Sequence, residues 1–290
     1  MIAVRIWGGL GNQMFQYAFG YAEALRRNTP LALDISFFHK NHSSRQTKRE
    51  LELFSLPVFC RKTIRPEAVS SILPVLQIPF VNFAIRKLFP YRFKVGRYVY
   101  VKEKRLEYLP QALGDSENVY FDGYWHSEKY FVRYRKEIIE QFVFTNARIE
   151  KVFNLLRKSS EDNLVAVHIR RGDYVSQNNP NLRDEEYYLK AMDKMKSLLI
   201  CPVFCFFSDD MEWVKEKFGK FDGAVFINEN KALSDIEEFQ LMVKCDHFII
   251  SNSSFSWWAA WLNQNPEKNV VVPRFWRNKK DMMLEEWIKI

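Results

Sequence analysis

At 290 residues the chain is too long for one small core and suits one large α/β domain or two of moderate size. Its 47% hydrophobic and 27% charged residues exclude a disordered or fibrous protein. The formal charge of +8 fits an anionic ligand, an anionic membrane surface or nucleic acid, and the sign alone does not choose.

The first 35 residues predict a βαβ unit. Ile2–Trp7 reads as a short strand, Gly8–Asn12 as a glycine-rich turn, and Gln13–Arg27 as a helix with apolar residues at Met14, Ala18, Tyr21, Ala22 and Leu25. Pro30–Ile35 returns as a strand. Residues 36–115 are less legible: His39–Arg49 is polar and loop-like, and Pro66, Pro74, Pro79 and Pro90 interrupt apolar stretches. Val119–Phe121 predicts a strand, followed by a helical pattern from Glu128 to about Arg157. From Leu164 onward strands and helices alternate. Strands are expected at Leu164–Ile169, Val203–Phe207, Ala224–Ile227, His247–Ile250 and Asn269–Val272. Helices are expected near Glu185–Leu199, Met211–Phe218, from Ser234 and near Phe255–Leu262. Ser234 followed by Glu237 has the spacing of a capping box. Such alternation implies parallel sheets covered by helices on both faces. The expected division is 1–157 and 158–290, with Lys158–Asp162 as hinge and a last helix able to pack back on the first domain.

The basic clusters Arg45–Arg49, Arg61–Arg65, Arg133–Lys136 and Arg277–Lys280 are short and read as solvated surface, with membrane attraction second. No nucleic-acid motif accompanies them. Cys60, Cys201, Cys205 and Cys245 lack the spacing of a disulfide framework or zinc site, and alternation would send Cys201 and Cys205 to one face of a strand. Buried thiols in a reducing compartment are expected. The N-terminus has no signal-peptide pattern and no window could cross a bilayer, so a cytoplasmic protein is expected.

The chemistry gathers at strand ends, where open parallel sheets bind ligands. After the strand at 164–169 come His168, Arg170, Arg171 and Asp173. The next strand ends in Ser208, Asp209 and Asp210, the following one in Asn228 and Glu229, and the last but one in Ser251–Ser254. Two adjacent guanidiniums leaving a buried strand suit phosphate oxygens. Arg170 is expected to face a diphosphate while carboxylates hold Arg171. A helix opening at about Phe255, with Ser254 as its cap, would present N–H groups to the same diphosphate. Asp209 and Asp210 form the one plausible divalent-cation pair, but two arginines and a helix N-terminus could neutralise a leaving group without a metal. The loop Gly8–Gln13 resembles a dinucleotide fingerprint, with Asp34 as the ribose-binding acid. Met14 stands where the third glycine belongs, so the pattern fails. Gly9, Gly11, Asn12 and Gln13 can still let backbone approach a ligand. A turn needed only for packing remains open.

Four motifs occur in order: Gly8–Tyr17 (GGLGNQMFQY), Gly123–Phe131 (GYWHSEKYF), His168–Asp173 (HIRRGD) and Ser251–Trp258 (SNSSFSWW). Together they strongly resemble the bacterial α-1,2-fucosyltransferases of glycosyltransferase family 11, over nearly the whole chain. The resemblance implies a GT-B-like fold, two Rossmann-like domains with parallel sheets facing across a cleft. It also implies metal-independent inverting transfer from GDP-fucose to a galactoside 2-hydroxyl. By that likeness Arg170 binds the β-phosphate and His168 lies by the guanine or ribose. Ser253, Ser254 and Phe255, beside Asn252, line the diphosphate seat. Glu238, in Glu238–Met242, takes the place of a guanine-binding carboxylate, and Asn12 sits near the transferred sugar. Arg171 and Asp209 complete the substrate-binding set. Asp173 is the first candidate for general base, in competition with a phosphate oxygen of the donor. The implied partners are GDP-fucose and a galactose-terminated glycan, in surface-glycan synthesis a lipid-linked one reached at the inner membrane. Three alternatives remain at this level: another fucosyl linkage such as α-1,6, a dinucleotide-dependent oxidoreductase, and a non-catalytic GDP- or glycan-binding protein.

Overall fold

The computed structural model describes residues 1–39, 49–64, 92–95, 97–103, 107–110, 113–276 and 279–290. The proline-interrupted stretches at 66–90, most of the basic run at 45–49 and residues 277–278 lie outside the described residues.

The chain divides into two compact units, Met1–Gln141 and Phe142–Ile290. In the first, β1 (Ile2–Arg5), β2 (Leu31–Asp34), β3 (Thr63–Ile64), β4 (Arg92–Val95), β5 (Tyr98–Lys102) and β6 (Val119–Asp122) form one sheet ordered β3-β2-β1-β6-β5-β4. All neighbours are parallel except β4 and β5. Helix α1 (Leu10–Arg26) connects β1 to β2 and is buried around most of its circumference. Such a helix belongs between a sheet and further structure rather than at a surface. Phe19 stacks on Trp125 with ring centroids 4.1 Å apart, and Phe121 meets the same indole edge-on.

The second unit carries β7 (Asn163–Ile169), β8 (Pro202–Ser208), β9 (Ala224–Phe226), β10 (His247–Ile249), β11 (Val270–Val272) and β12 (Ile288–Lys289). The order is β12-β11-β10-β7-β8-β9, with every pairing parallel. β7 sits centrally and buries Leu164–Ile169 from both sides, as a strand covered on both faces must. Connecting helices are α2 (Arg135–Phe142), which straddles the division, then α3 (Ala147–Leu156), α4 (Gly172–Ser176), α5 (Glu185–Leu198), α6 (Met211–Phe218), α7 (Asp235–Lys244) and α8 (Ser254–Leu262). The capping box is present: Ser234 Oγ accepts from Glu237 N, and Glu237 Oε2 accepts from Ser234 N. α8 is almost wholly core, with Trp257, Trp258 and Trp261 buried.

Several sequence expectations change. The division falls earlier than the hinge at Lys158–Asp162, because α3 packs on α7 and is tied to it by Arg148–Glu237 and Lys244–Glu150 ion pairs. The helical pattern of 128–157 breaks into 3-10 turns at Glu128–Tyr130 and Val132–Tyr134 and two helices. The break before α3 is set by Asn146, whose side chain caps Ile149 N at 2.9 Å. Cys201 is exposed, in a left-handed turn before β8, so only Cys205 of that pair is buried in the strand. The chain ends as strand β12 paired with β11, not as a helix. The loop expected after β7 contains the short helix α4.

Candidate functional site

In the second unit the chain steps outward from β7 to β8 and β9, then returns to the other side of β7 as β10. The carboxyl ends of β7 and β10 therefore flank a topological switch point, where α/β sheets bind ligands. His168 and Ser251 meet there, Nδ1 to Oγ at 2.9 Å. The histidine is 6% exposed. Burial, helped by Arg170, pushes its pKa down to about 3 and keeps the ring neutral. Its ring lies 5.7 Å from that of Phe255.

Arg170 follows at once. Its Nε and Nη2 donate to Asp173 Oδ1 at 3.1 and 2.6 Å, and Nη1 lies 2.8 Å from Asp209 Oδ2. Burial opposes the charge, but Asp209 and Asp173 outweigh it and raise the arginine's pKa above its ordinary value. Arg171 donates backbone N–H to Asp209 Oδ1 at 2.8 Å and Nε to Asp210 Oδ2 at 2.9 Å. Its guanidinium stacks 4.0 Å from the Trp213 ring. Both arginines are thus held by carboxylates, rather than Arg171 alone. The planar fork of Arg170 has five N–H donors. Only part of that fork is spent on Asp173 and Asp209. Gly172 makes room for the arrangement, since a Cβ there would fall 2.6 Å from Asp209 Oδ2.

Opposite stands the N-terminus of α8. The helix opens at Ser254 with Ser253 as N-cap, one residue earlier than expected; Ser253 Oγ accepts from Phe255 N at 3.4 Å. Asn252 is 1% exposed, and its Nδ2 donates to Phe275 O at 3.0 Å and Asn181 Oδ1 at 3.3 Å. Its carbonyl accepts from Tyr174 OH at 2.8 Å. Asn252 thus fastens the loop through its Nδ2, while its buried Oδ1 meets no hydrogen-bond donor among the described residues. Asp209 and Asp210 are spent: one receives Arg170 and Arg171, the other holds Arg171 and caps α6 through Trp213 N at 3.2 Å.

Glu238 projects from α7, one residue before Phe239, whose ring meets that of Phe255 at 5.2 Å. Burial pushes its carboxyl pKa up to about 6, against the hydrogen bond from Asn228 Nδ2. Asn228 stands in a left-handed turn at the end of β9, and its amide is pinned by Leu233 N at 2.7 Å and Leu233 O at 2.8 Å.

The glycine loop belongs to the first unit. Gly8 is left-handed, with φ +82°. Gly9 caps α1, and Asn12 Oδ1 lies 3.0 Å from His126 Nε2. Gly11 is buried within the helix. Gln13 is 0% exposed. Its Nε2 donates to Gly8 O and Glu50 O, while Oε1 accepts from Glu52 N and Leu53 N. That commits both ends of the side-chain carboxamide to fastening the loop. Asp34 is 1% exposed and accepts from Ser36 N at 2.9 Å and from Tyr120 OH. It is not placed to hold a ribose, which removes the oxidoreductase reading.

Tyr174, Trp213 and His126 were missed as site residues, and Asn228 was named only as a strand-end polar group. His126 lies inside a recognised motif and Tyr174 directly follows one, but Trp213 and Asn228 lie far from any, and a neutral ring or amide carries no distinctive signal until its partner is known.

The sequence pattern described as glycosyl transferase family 11 matches residues 1–290. The chain belongs to that family. An Escherichia coli α-1,2-colitosyltransferase is 33% identical, with 100% of this chain and 99% of that protein aligned. The E. coli O-antigen biosynthesis glycosyltransferase WbnK is 30% identical over 98% of each. A mouse galactoside 2-α-L-fucosyltransferase, Sec1, is 29% identical over 90% of this chain and 64% of its own length. Among solved structures, Arabidopsis thaliana FUT1 in complex with GDP superposes with TM-score 0.51 at 11% identity, covering 93% of this chain and 69% of that one. E. coli ADP-heptose LPS heptosyltransferase II gives 0.50 at 11% identity, covering 100% and 89%. These two likenesses concern the fold. The family 11 chain has the two Rossmann-like α/β units of a GT-B glycosyltransferase.

Proposed function

We propose that this family 11 enzyme transfers L-fucose from GDP-fucose to the 2-hydroxyl of a galactoside, with inversion and without a metal. The observation that supports this reading is the switch point of the second unit, where Arg170 follows β7, α8 opens just after the neighbouring β10, and the His168–Ser251 bond joins the two strand ends. In it Arg170 and the amides of Ser254 and Phe255 receive the diphosphate charge that develops as the glycosidic bond breaks. Asp173 and Asp209 aim the guanidinium. The names of the aligned relatives support fucosyl transfer to galactosides, and WbnK supports an O-antigen-type acceptor.

In this mechanism the acceptor oxygen attacks the fucose anomeric carbon from the face opposite GDP. The new C–O bond forms as the bond to the β-phosphate oxygen breaks, and GDP leaves with the bonding pair. The acceptor proton passes to a base on the side of attack, away from the departing GDP. Asp173 is better suited to orienting Arg170 than to acting as base, because its Oδ1 receives two N–H donors from that arginine. A divalent cation is dispensable because Asp209 and Asp210 already neutralise arginines. Glu238 takes the guanine N–H donors, and Asn12 contacts the transferred sugar. His168 acts as a neutral wall beside the nucleoside. A cytoplasmic enzyme working peripherally at the inner membrane fits a lipid-linked acceptor. Among the described residues no helix is long and apolar enough to cross a membrane.

A second reading is favoured by the 33% identical colitosyltransferase: the donor sugar is colitose, the 3-deoxy form of fucose. The deciding experiment incubates the enzyme with each GDP-sugar and a panel of galactosides, with and without EDTA, and determines the product linkage. No release of GDP with any pairing of donor and acceptor, together with absence of GDP binding, would sink both readings. Loss of activity in EDTA, restored by magnesium, would overturn the metal-free route.

A further inference from the structure

The first unit has a switch point of its own. From β1 the chain steps outward through β2 to β3, and β6 returns on the other side of β1. The carboxyl end of β1 leads into Gly8–Asn12, and that of β6 leads into Gly123–Ser127. One side-chain hydrogen bond bridges them: His126 Nε2 to Asn12 Oδ1, 3.0 Å. A carboxamide oxygen can only accept, so Nε2 carries the proton. At the other end of the same amide, Asn12 Nδ2 lies 2.9 Å from where a Cβ on Gly8 would stand, and Gly8 adopts φ +82°. The carboxamide is clamped between an imidazole donor and a left-handed glycine.

His126 is equally constrained. It is 1% exposed, stacked on Tyr124 with centroids 4.8 Å apart and edge-on to Phe15 at 4.9 Å. Between Tyr124 and His126, Trp125 has φ +59°. A bulky residue in that region costs on the order of 1–3 kcal/mol and persists only where surrounding structure enforces it. Glu103 enforces it here, accepting from Tyr124 N at 2.6 Å and Trp125 N at 3.1 Å. The turn sends Trp125 into the core against Phe19 and turns His126 toward α1.

The geometry points to His126 as the positioning residue for Asn12, fixing which end of its carboxamide is presented at the switch point. This rests on the reading above that Asn12 contacts the transferred sugar. The histidine itself does not touch substrate, and its effect passes through the asparagine.

The test compares H126F, which keeps an aromatic ring for the stack but lacks the donor, with H126Q, which restores an N–H, and with N12A and the N12A/H126F double variant. H126F should lower kcat by roughly 10- to 100-fold, the scale of a misplaced contact group, with GDP affinity and melting temperature near wild type. H126Q should recover a substantial part of that loss. In the N12A background H126F should cause no further loss, because the two act as one unit. The side-chain NH₂ resonances of Asn12, identified by their absence in N12A, should shift in H126F and return towards wild type in H126Q. Wild-type kcat in H126F, multiplicative losses in the double variant, or unmoved Asn12 resonances would overturn the assignment. If wild-type protein transfers neither sugar, the transfer reading fails, while the resonances still decide whether His126 holds Asn12.

Discussion

His168 Nδ1 and Ser251 Oγ meet 2.9 Å apart across the two strands that flank the switch point of the second unit. The bond joins the arginine motif to the serine motif, so the ring that links the two halves of the candidate site is also a buried titratable group. Its folded pKa is pushed down to about 3 by burial and by Arg170, whereas an unfolded histidine titrates near 6.5. Between those values the unfolded chain binds the extra proton. Stability from this group is therefore lost as pH falls below about 6.5, with a slope approaching roughly 1.4 kcal/mol per pH unit. Urea unfolding at pH 7 and pH 5 should show that loss, and His168→Gln should flatten it. An unchanged pH slope in the glutamine variant would remove the buried neutral histidine as its cause.

Arg170→Ala should lower kcat by about 10²- to 10³-fold, the effect of removing one donor to a developing oxyanion. Arg170→Lys should not restore it, since a point charge lacks the planar fork. The alanine variant also strands Asp173 and Asp209, so a lowered melting temperature is expected alongside. Steady-state kinetics with saturating acceptor and differential scanning fluorimetry measure both. Retained turnover would take Arg170 out of the mechanism.

Gly172→Ala probes the same geometry without touching a charge. The added methyl would meet Asp209 Oδ2 at 2.6 Å, and Asp209 is tethered by Arg171 N at 2.8 Å, so it can give way only by releasing an arginine. A fall in kcat of about tenfold or more with little change in circular dichroism is expected. Wild-type kinetics would mean that the Asp209–Arg170 pairing is unimportant to transfer.

The proposed contact of Glu238 with the guanine would make nucleotide binding pH-dependent. Burial pushes its carboxyl up to about 6. Above that pH it is ionised and can accept guanine N–H donors; below it, protonation removes acceptor capacity. GDP affinity by calorimetry should therefore weaken as pH falls from 7.5 to 5. Glu238→Gln should bind GDP more weakly at pH 7.5, by roughly tenfold, and lose most of the pH dependence. The same pH profile in the glutamine variant would take Glu238 away from the base.

Much of this was legible before any coordinates. β7 reads as a buried strand because Leu164–Ile169 is apolar except for His168, and α7 announces itself through Ser234 and Glu237. The strand-end polar residues identified the switch-point site because strand–helix alternation places them at one edge of a sheet. The uninterrupted helix expected over 128–157 failed for a local reason, the Asn146 cap at the start of α3. Gln13 and Asn252 are ambiguous in the sequence for another reason. An amide beside a glycine or serine motif looks the same whether it meets a ligand or fastens a loop, and only its burial and partners separate the two.

The sequence by itself determined the α/β class, the four motifs, the excess positive charge and the candidate anion site. These depend on local periodicity and on residue chemistry that needs no neighbour to be recognised. The tertiary structure decided the division after Gln141, the carboxylate grip on both arginines, the neutral state of His168 and the clamp of His126 on Asn12. Each arises between residues distant in the chain, where burial and a few ångströms of separation set the energy.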